Sequence, residues 1–273
     1  MRVGLIGCGF IGESIAKAID RELESSVELV VIYDEIRERA VSLSRKLLVK
    51  PRIAGNFEEV ISDPSVQLII EAASQSAART IAPKALASGK QVMIMSVGAL
   101  ADDKFREEIK NMASQMHVKV HIPSGAIGGL DWIKAASAAG LDQVTITSRK
   151  PPKALEGAPY VIKNKIDLTE IKCPTQIYEG PASDAAFSFP ANVNVAVALS
   201  LAGVGSNRTL VRVIADPTVR QNIHEISAEG AAGKITVRVE NTPAPDNPKT
   251  SWIAALSAIQ KLREISSAVS LGT

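Results

Sequence analysis

The feature that most constrains this chain is a glycine-rich turn directly after its first apolar strand. Residues 2–12 read RVGLIGCGFIG and end in the spacing Gly7-x-Gly9-x-x-Gly12. In a strand, turn and helix of this kind, Gly7 makes the tight turn, Gly9 lets the backbone approach a phosphate, and Gly12 lets the helix pack on the strand. The amides and the dipole at the start of the helix then face an anion. This order of elements predicts a dinucleotide-binding unit at the start of the chain.

An acidic residue stands where such a unit binds a ribose. A second apolar strand is predicted at 27–33 and ends at Asp34, 22 residues beyond Gly12. A carboxylate there accepts hydrogen bonds from the ribose hydroxyls and repels a 2′-phosphate, so it favours NAD. Arg37 and Arg39 follow closely and can pair with such a phosphate. We therefore predict NAD as the cofactor, with NADP also tolerated.

Strands and helices alternate through the rest of the first 120 residues. Further strands are predicted at 66–72, 91–97 and 118–122, and a helix after Asp34 is expected to end before Pro51. Such alternation is typical of a Rossmann fold, an α/β doubly wound parallel sheet whose ligands lie at the carboxyl ends of the strands. The residues predicted there to bind the cofactor are Gly7, Gly9, Phe10, Ile11, Gly12, Asp34, Ala73, Ser74, Ser96, Val97 and Gly98.

The second half of the chain has a different pattern. Strands are predicted at 144–150, 209–216, 222–228 and 234–240, and helices at 131–139 and 191–201. No helix separates the last three strands, and apolar and polar residues alternate along 234–240, which is typical of a sheet covered on one face. This half is predicted to be a second α+β domain with a largely antiparallel sheet.

These patterns set the expected domain boundaries. Residues 1–123, together with a C-terminal helix within 249–273, are predicted to form the dinucleotide-binding domain. Residues 124–248 are predicted to form the domain for substrate binding, catalysis and dimerisation. The exposed face of the second sheet needs a cover, and a second subunit is the expected one, so we predict a homodimer.

Composition excludes several classes of protein. With 273 residues, 46% hydrophobic and 22% charged, the chain resembles a globular protein, and a net charge of +2 without a basic stripe argues against nucleic acid as a partner. No apolar run is long enough for a membrane helix, and the start is not a signal peptide, so a cytoplasmic location is expected. Cys8 and Cys173 lack metal-ligand spacing, so no metal is predicted.

The residue predicted to transfer protons is His224, in the strand QNIHEISAEG. Histidine titrates near neutral pH, so one side chain can take and return a proton. A histidine that is merely hydrogen-bonded within the sheet is the structural alternative. His117 and His121 are rivals, but the second domain of a two-domain dehydrogenase normally supplies the acid and the base, which favours His224.

Six motifs together resemble the L-aspartate dehydrogenase family, over nearly the whole chain. They are GCGFIG, MSVGALAD, HIPSGAIGGLD, FPANVNVAVALSLAG, NIHEISAEG and NTPAPDNPKTS. The resemblance implies that His224 is catalytic and that Ala126 and Asn194 contact NAD near the nicotinamide. It also implies oxidative deamination of L-aspartate to oxaloacetate and ammonia through iminoaspartate, with His224 activating the water that attacks the imine. In this family the imine can instead enter NAD biosynthesis.

A dicarboxylate substrate needs cationic or polar ligands, and the sequence offers several. Ser124, Arg149, Lys249 and Thr250 are the predicted substrate-binding residues, while Lys150, Lys163 and Arg208 are further candidate cations.

Two other functions fit the sequence. One is another two-domain NAD(P)-dependent reductase of a small dicarboxylate or semialdehyde, of the dihydrodipicolinate or homoserine type. The other is a non-catalytic NAD-binding redox sensor.

Overall fold

The computed structural model describes residues 1–190, 193–245, 247–269 and 271–272, with the side chains of 247–249 left out of that description. The contacts within the chain form two compact units. Unit 1 consists of Met1–Pro123 and Ala254–Leu271, and unit 2 consists of Ser124–Ile253 with Gly272.

Unit 1 contains a six-stranded parallel sheet, so the predicted doubly wound fold is confirmed. The strands are β1 (Arg2–Ile6), β2 (Glu28–Tyr33), β3 (Arg52–Ile53), β4 (Leu68–Glu71), β5 (Gln91–Ile94) and β6 (Val120–His121). Their order is β3-β2-β1-β4-β5-β6. The strand order reverses between β1 and β4, and in sheets of this type the crevice at that reversal is where a dinucleotide binds.

Helices cover both faces of this sheet. They are α1 (Phe10–Glu22), α2 (Arg37–Lys46), α3 (Phe57–Ser62), α4 (Gln75–Ala87), α5 (Asp103–Gln115) and the C-terminal helix (Trp252–Ser266). Leu5 and Ile70 from the sheet, Ile15 from α1, and Ala258 and Leu262 from the C-terminal helix belong to one buried cluster. The last helix therefore packs into the core of unit 1. Among the described residues, no helix is long and apolar enough to cross a membrane.

The short elements between β2 and β4 were not predicted. Strand β3 has only two residues, and α3 has six, capped by the side chain of Asn56. Elements of this length carry too few residues to show a period of 2 or 3.6. The predicted strand 91–97 is also shorter in the structure, because residues Val97–Ala101 form a turn of 3-10 helix.

Unit 2 contains a five-stranded, largely antiparallel sheet, as predicted. Its strands are β7 (Leu141–Lys150), β8 (Thr175–Pro181), β9 (Thr209–Ala215), β10 (Asn222–Gly230) and β11 (Gly233–Asn241), in the order β11-β10-β7-β9-β8. Among the described pairings of this sheet, that of β7 with β9 is the one parallel pairing. A separate hairpin consists of β12 (Pro243–Ala244) and β13 (Asn247–Ser251), within a segment predicted to be a loop.

Helices cover one face of this second sheet. They are α6 (Leu130–Ser137), α7 (Pro159–Lys163), α8 (Ala182–Ser188) and α9 (Asn194–Ala202); residues 191–192 of the predicted helix 191–201 lie outside the described residues. A Cβ on Gly203, just after α9, would lie 3.3 Å from both Ile133 and Val144, which links α9, α6 and β7. The opposite face of the sheet carries mostly exposed and half-exposed side chains, although Thr145 and Ile223 on that face are buried.

An aromatic cluster organises residues 151–190, where the sequence indicated no regular element. The rings of Tyr160, Tyr178 and Phe189 have centroids 5.1 to 5.5 Å apart. Aromatic residues are 4% of the chain, and three of them pack here. Because such rings bury large areas, they supply this part of unit 2 with a core that periodicity did not indicate.

Candidate active site

The glycine turn of unit 1 has room for glycine alone at two positions. Gly7 has φ +100°, and a Cβ there would lie 2.5 Å from the carbonyl oxygen of Ala72. A Cβ on Gly12 would lie 2.0 Å from the carbonyl oxygen of Gly7. These contacts keep the turn tight and hold α1 against β1.

Gly9 differs from Gly7 and Gly12, because a Cβ at Gly9 would meet open space. It is the N-cap of α1, has no side chain capping the helix, and has nothing within 4 Å of a Cβ built on it. The amides of Phe10 and Ile11 begin the helix at this point. A helix start with uncapped amides and open space fits the pyrophosphate of a dinucleotide.

Asp34 is held in place for a ribose by the backbone. Its side chain is 9% exposed, and its two oxygens accept hydrogen bonds from the amides of Cys8 at 2.7 Å and Ile36 at 2.8 Å. A carboxylate has about four acceptor positions, so ribose hydroxyls can still bind it. Burial and the charge of Asp34 raise the pKa of the Cys8 thiol to about 12, so Cys8 remains a protonated packing residue.

A buried carboxylate that sequence reasoning missed joins two of the predicted cofactor loops. Glu71 ends β4 with no exposed surface, and it accepts hydrogen bonds from the amides of Ala73 (2.8 Å), Ser74 (3.1 Å) and Ser96 (3.1 Å) and from the Ser96 hydroxyl (2.8 Å). Burial raises the pKa of Glu71. One carboxylate therefore fixes the turn after β4 and the start of Val97–Ala101. An acidic residue at the end of an apolar strand was the available signal.

His224 lies on the covered face of the second sheet, near the start of β10. Its side chain is 2% exposed, and Nδ1 is 2.9 Å from the Ser148 hydroxyl oxygen on the neighbouring strand β7. Burial, with a smaller contribution from the charge of Lys150, lowers the pKa of His224 to about 3. The expectation that this ring titrates near neutrality is therefore wrong. The imidazole is uncharged at pH 7, which is the form that a general base requires.

The two rival histidines, His117 and His121, lie in unit 1, beside the amino-terminal ends of its parallel strands. His121 is buried with Nε2 2.7 Å from Oε1 of Gln91, and His117 is exposed. Both line a cavity of 1090 Å³ that is also lined by Gln67 and Lys119, which precede β4 and β6. This is the amino-terminal edge of the sheet, whereas ligands of parallel sheets bind at the carboxyl ends. Geometry therefore favours His224 over both.

Asparagine side chains fix the backbone near the His224 face. Asn241 pairs with Asn222 across β11 and β10, and its side-chain amide donates to the carbonyl of Ala126 at 2.9 Å. Asn222 donates to the Ser251 hydroxyl at 3.3 Å. The turn that carries half-buried Ser124 and buried Ala126 is thus tied to the end of the sheet that carries His224.

The predicted substrate ligands are not all brought together. Arg149 points to the opposite face of the sheet from His224, where it forms an ion pair with Asp216 at 2.9 Å. Arg208 donates to the carbonyl of Leu141, at the far end of β7 from Ser148. Thr250 is half-buried in β13, and the side chain of Lys249 lies outside the described residues. Asn194 is half-buried at the start of α9.

Lys150 is the cation that strand alternation places on the same face as His224. It is two residues beyond Ser148 on β7, which puts both side chains on one face, and it is 4% exposed. Burial lowers the pKa of Lys150 to about 8. Across the part of the chain that the structure describes, no group of three or more His, Cys, Asp or Glu residues is arranged to hold a metal ion.

Comparison with known proteins identifies the family. A family model described as "Aspartate dehydrogenase, C-terminal" matches residues 131–265, and one described as "Homoserine dehydrogenase, NAD binding domain" matches residues 7–123. The chain is 49% identical over 273 residues to an L-aspartate dehydrogenase of Methanosarcina mazei, with 100% of both chains covered. The chain belongs to the L-aspartate dehydrogenase family. The resemblance carried by the six motifs is confirmed.

More distant members of the family agree with this assignment. The L-aspartate dehydrogenase of Nitrosopumilus maritimus is 41% identical over 273 residues, covering 100% of this chain and 99% of that one. The crystal structure of an aspartate dehydrogenase from Thermotoga maritima matches with a TM-score of 0.78 at 28% identity, covering 100% of this chain and 99% of that one. Membership in the family makes the chain an oxidoreductase with a nicotinamide cofactor and a small-molecule substrate.

Proposed function

We propose that this chain oxidises L-aspartate to oxaloacetate and ammonia through iminoaspartate, with NAD as the preferred cofactor and NADP also accepted. The observation that carries the proposal is the match over the full length to L-aspartate dehydrogenases. The buried, uncharged His224 is consistent with it, because this ring has the base form that hydrolysis of an imine needs.

The cofactor proposal depends on the turn and the acid of unit 1. Gly7, Gly9 and Gly12 with the amides of α1 would hold the pyrophosphate, and Asp34 would bind the ribose and disfavour a 2′-phosphate. The loops after β4 and β5, with Ala73, Ser74, Ser96, Val97 and Gly98, would complete the site, together with Ala126 and Asn194 near the nicotinamide. When bound, the nicotinamide supplies the hydride acceptor for the substrate carbon.

His224 would handle the proton that hydrolysis of the imine releases. Nδ1 of His224 is 2.9 Å from the Ser148 hydroxyl oxygen. In the tautomer in which Nδ1–H donates to that oxygen, the lone pair of Nε2 is available to take a proton from the water that attacks the imine carbon. The same nitrogen returns that proton to the departing ammonia. Ser148 would then act by orienting the ring and accepting from Nδ1–H when the imidazole becomes charged.

An assay with purified protein tests the proposed reaction. We expect aspartate to drive NADH formation, and NAD to give a higher kcat/KM than NADP because of the charge of Asp34. Homoserine and dihydrodipicolinate-type substrates serve as comparisons, since the nucleotide-binding half matches a model named for homoserine dehydrogenase. Turnover of homoserine in place of aspartate would overturn the proposal. NAD binding without turnover of any of these substrates would favour the redox sensor.

We also propose a homodimer that uses the open face of the second sheet. On this face, half-exposed Leu210 and Ile214 alternate with Arg212 along β9. Light scattering should give a mass near twice the 28.9 kDa of one chain. Ile214→Asp should shift the mass to that of one chain, whereas Ile162→Asp, at a position 67% exposed on α7, should leave it unchanged. A wild-type mass near one chain contradicts the proposal.

The remaining proposals concern the place of the reaction. The cytoplasm supplies both aspartate and nicotinamide dinucleotides, so it is the proposed location. Iminoaspartate released before hydrolysis would be available to NAD biosynthesis, which is the proposed metabolic role.

A further inference from the structure

We infer that Glu71 is a positioning residue for the nicotinamide half of the cofactor, because it holds the loops after β4 and β5 in place and thereby sets the affinity for that half. This inference rests on the proposed function, since it concerns NAD at the cofactor site proposed above. It adds a residue that was not among the cofactor ligands predicted from the sequence.

The strand order places these two loops on the far side of the glycine turn from Asp34. The central strands run in the order β2-β1-β4-β5. Asp34 follows β2, whereas the two loops held by Glu71 follow β4 and β5. A doubly wound sheet binds the two nucleotides of a dinucleotide on the two sides of its reversal. With the adenosine ribose on Asp34, the loops after β4 and β5 would hold the nicotinamide half.

Hydrogen bonds from the protein itself fill the carboxylate of Glu71. Its Oε1 accepts from the amides of Ala73 (2.8 Å) and Ser74 (3.1 Å) and from the Ser96 hydroxyl (2.8 Å), and its Oε2 accepts from the Ser96 amide (3.1 Å). A carboxylate has about four acceptor positions, so these donors occupy them. Asp34, by contrast, accepts from the amides of Cys8 and Ile36 and keeps room for a ligand. Glu71 therefore acts through the loops and not by direct contact with the cofactor.

The loop after β4 is exposed at this edge of the sheet. Ala73 and Ser74 are exposed, and the Ser74 hydroxyl accepts from the amide of Ala77 at 3.1 Å, which caps the start of α4. In the loop after β5, Ser96 is 9% exposed and directs its hydroxyl to Glu71. The surface that is open to a ligand thus belongs to residues whose backbone Glu71 fixes.

Replacing Glu71 by glutamine keeps the shape of the side chain and breaks one of these links. Glutamine carries an NH2 group, which is a donor, in place of one carboxylate oxygen. When its remaining oxygen keeps the three donors of Oε1, the NH2 group faces the Ser96 amide, and two donors cannot pair. A buried amide without an acceptor is unfavourable. The loop after β5 is therefore expected to move away.

The central test measures the affinity of the folded Glu71→Gln protein for NAD and for ADP by calorimetry. ADP contains the adenosine half and the two phosphates of NAD but not the nicotinamide half. We expect NAD affinity to fall about tenfold or more, as typical for a buried hydrogen bond that is lost. ADP affinity should be unchanged, because the glycine turn and Asp34 are retained. Unchanged NAD affinity, or an equal loss for both ligands, overturns the inference.

Asp63 offers a matched control at the amino-terminal edge of the same sheet. Like Glu71, it fixes a turn by accepting from an amide and a hydroxyl, here those of Ser65 at 3.0 Å and 2.6 Å. It also pairs with Arg52 at 2.9 Å. Asp63→Asn should therefore lower Tm and leave NAD affinity unchanged. A loss of NAD affinity as large as that in Glu71→Gln would be an effect of general destabilisation and would overturn the inference.

Hydrogen exchange on the wild type keeps the inference testable if Glu71→Gln does not fold. NAD should slow amide exchange in segments 72–76 and 95–98 together, because one carboxylate holds both. ADP should leave both segments at the rate of the free protein. The inference is overturned if NAD slows exchange in neither segment or if ADP slows it equally.

Binding and turnover separate this inference from the proposed reaction. A selective loss of NAD affinity in Glu71→Gln, in a protein whose wild type does not oxidise aspartate, would support the inference and contradict the proposed function. Oxidation of aspartate with the same KM for NAD in the wild type and in Glu71→Gln would do the reverse.

Discussion

Replacing His224 by alanine should lower kcat for aspartate oxidation about 10²- to 10⁴-fold, the range typical of a lost general base. NAD affinity should be unchanged, because the glycine turn and Asp34 belong to unit 1. Steady-state kinetics with aspartate and calorimetry with NAD give the two readouts. If the reaction is limited by hydrolysis of the imine, the loss appears in kcat more than in KM.

The chain offers a matched control for this variant. His121 is also buried and hydrogen-bonded, but it lies at the amino-terminal edge of the first sheet. His121→Ala should therefore keep the wild-type kcat. A His224→Ala protein that retains its kcat would show that another group removes the proton. A wild type with no turnover to lose would instead support the redox sensor.

Two glycine substitutions should separate folding from cofactor binding. In Gly12→Ala the new Cβ would lie 2.0 Å from the carbonyl oxygen of Gly7, so α1 has to move away from the turn. Such overpacking costs about 1–3 kcal/mol of unfolding free energy, or roughly 2–4 °C of Tm per kcal/mol. The variant should also lose most of its NAD binding, because the amides of α1 are displaced.

Gly9→Ala is the matched case without a clash. Nothing lies within 4 Å of the new Cβ, and the backbone at Gly9 has φ −73°, so alanine fits and Tm should be unchanged. The methyl group then occupies the space in which the pyrophosphate is expected, so NAD binding should weaken by about tenfold or more. Thermal unfolding and calorimetry distinguish the two variants. Undiminished NAD affinity in Gly9→Ala would place the pyrophosphate elsewhere.

The fold was largely predictable because its signals are local and repeated. The glycine turn, the alternating strands and helices, and the period-2 pattern of β11 each occur within short windows of sequence. Strand β3 and the helices within residues 151–190 were not predictable, because their positions depend on contacts between residues that are distant in sequence. The contact of Tyr160 with Phe189 is one example.

The site was less predictable, because it depends on which face of the sheet each side chain occupies and on how deeply that side chain is buried. Arg149 and Lys150 are adjacent in sequence, and only the register of β7 with β10 tells which of them shares a face with His224. A shift by one residue reverses that assignment. The pKa of His224 depends on the layers that cover it, so its ordinary value of 6.5 was a poor guide. The sequence shows that Glu71 is an acidic residue at the end of an apolar strand, but the link that it makes between two loops depends on hydrogen bonds that only the structure shows.

The hydrogen bonds of Glu71 have a consequence for protein engineering. Because this single side chain anchors the turn after β4 and the turn after β5, neither segment is an independent module. One of these loops could be exchanged for that of another dehydrogenase, for instance to change coenzyme preference. The new loop would then lack its hydrogen-bond acceptor, or the buried Glu71 would lose hydrogen-bond donors. Successful grafts should therefore transfer both turns and the acid as one cassette.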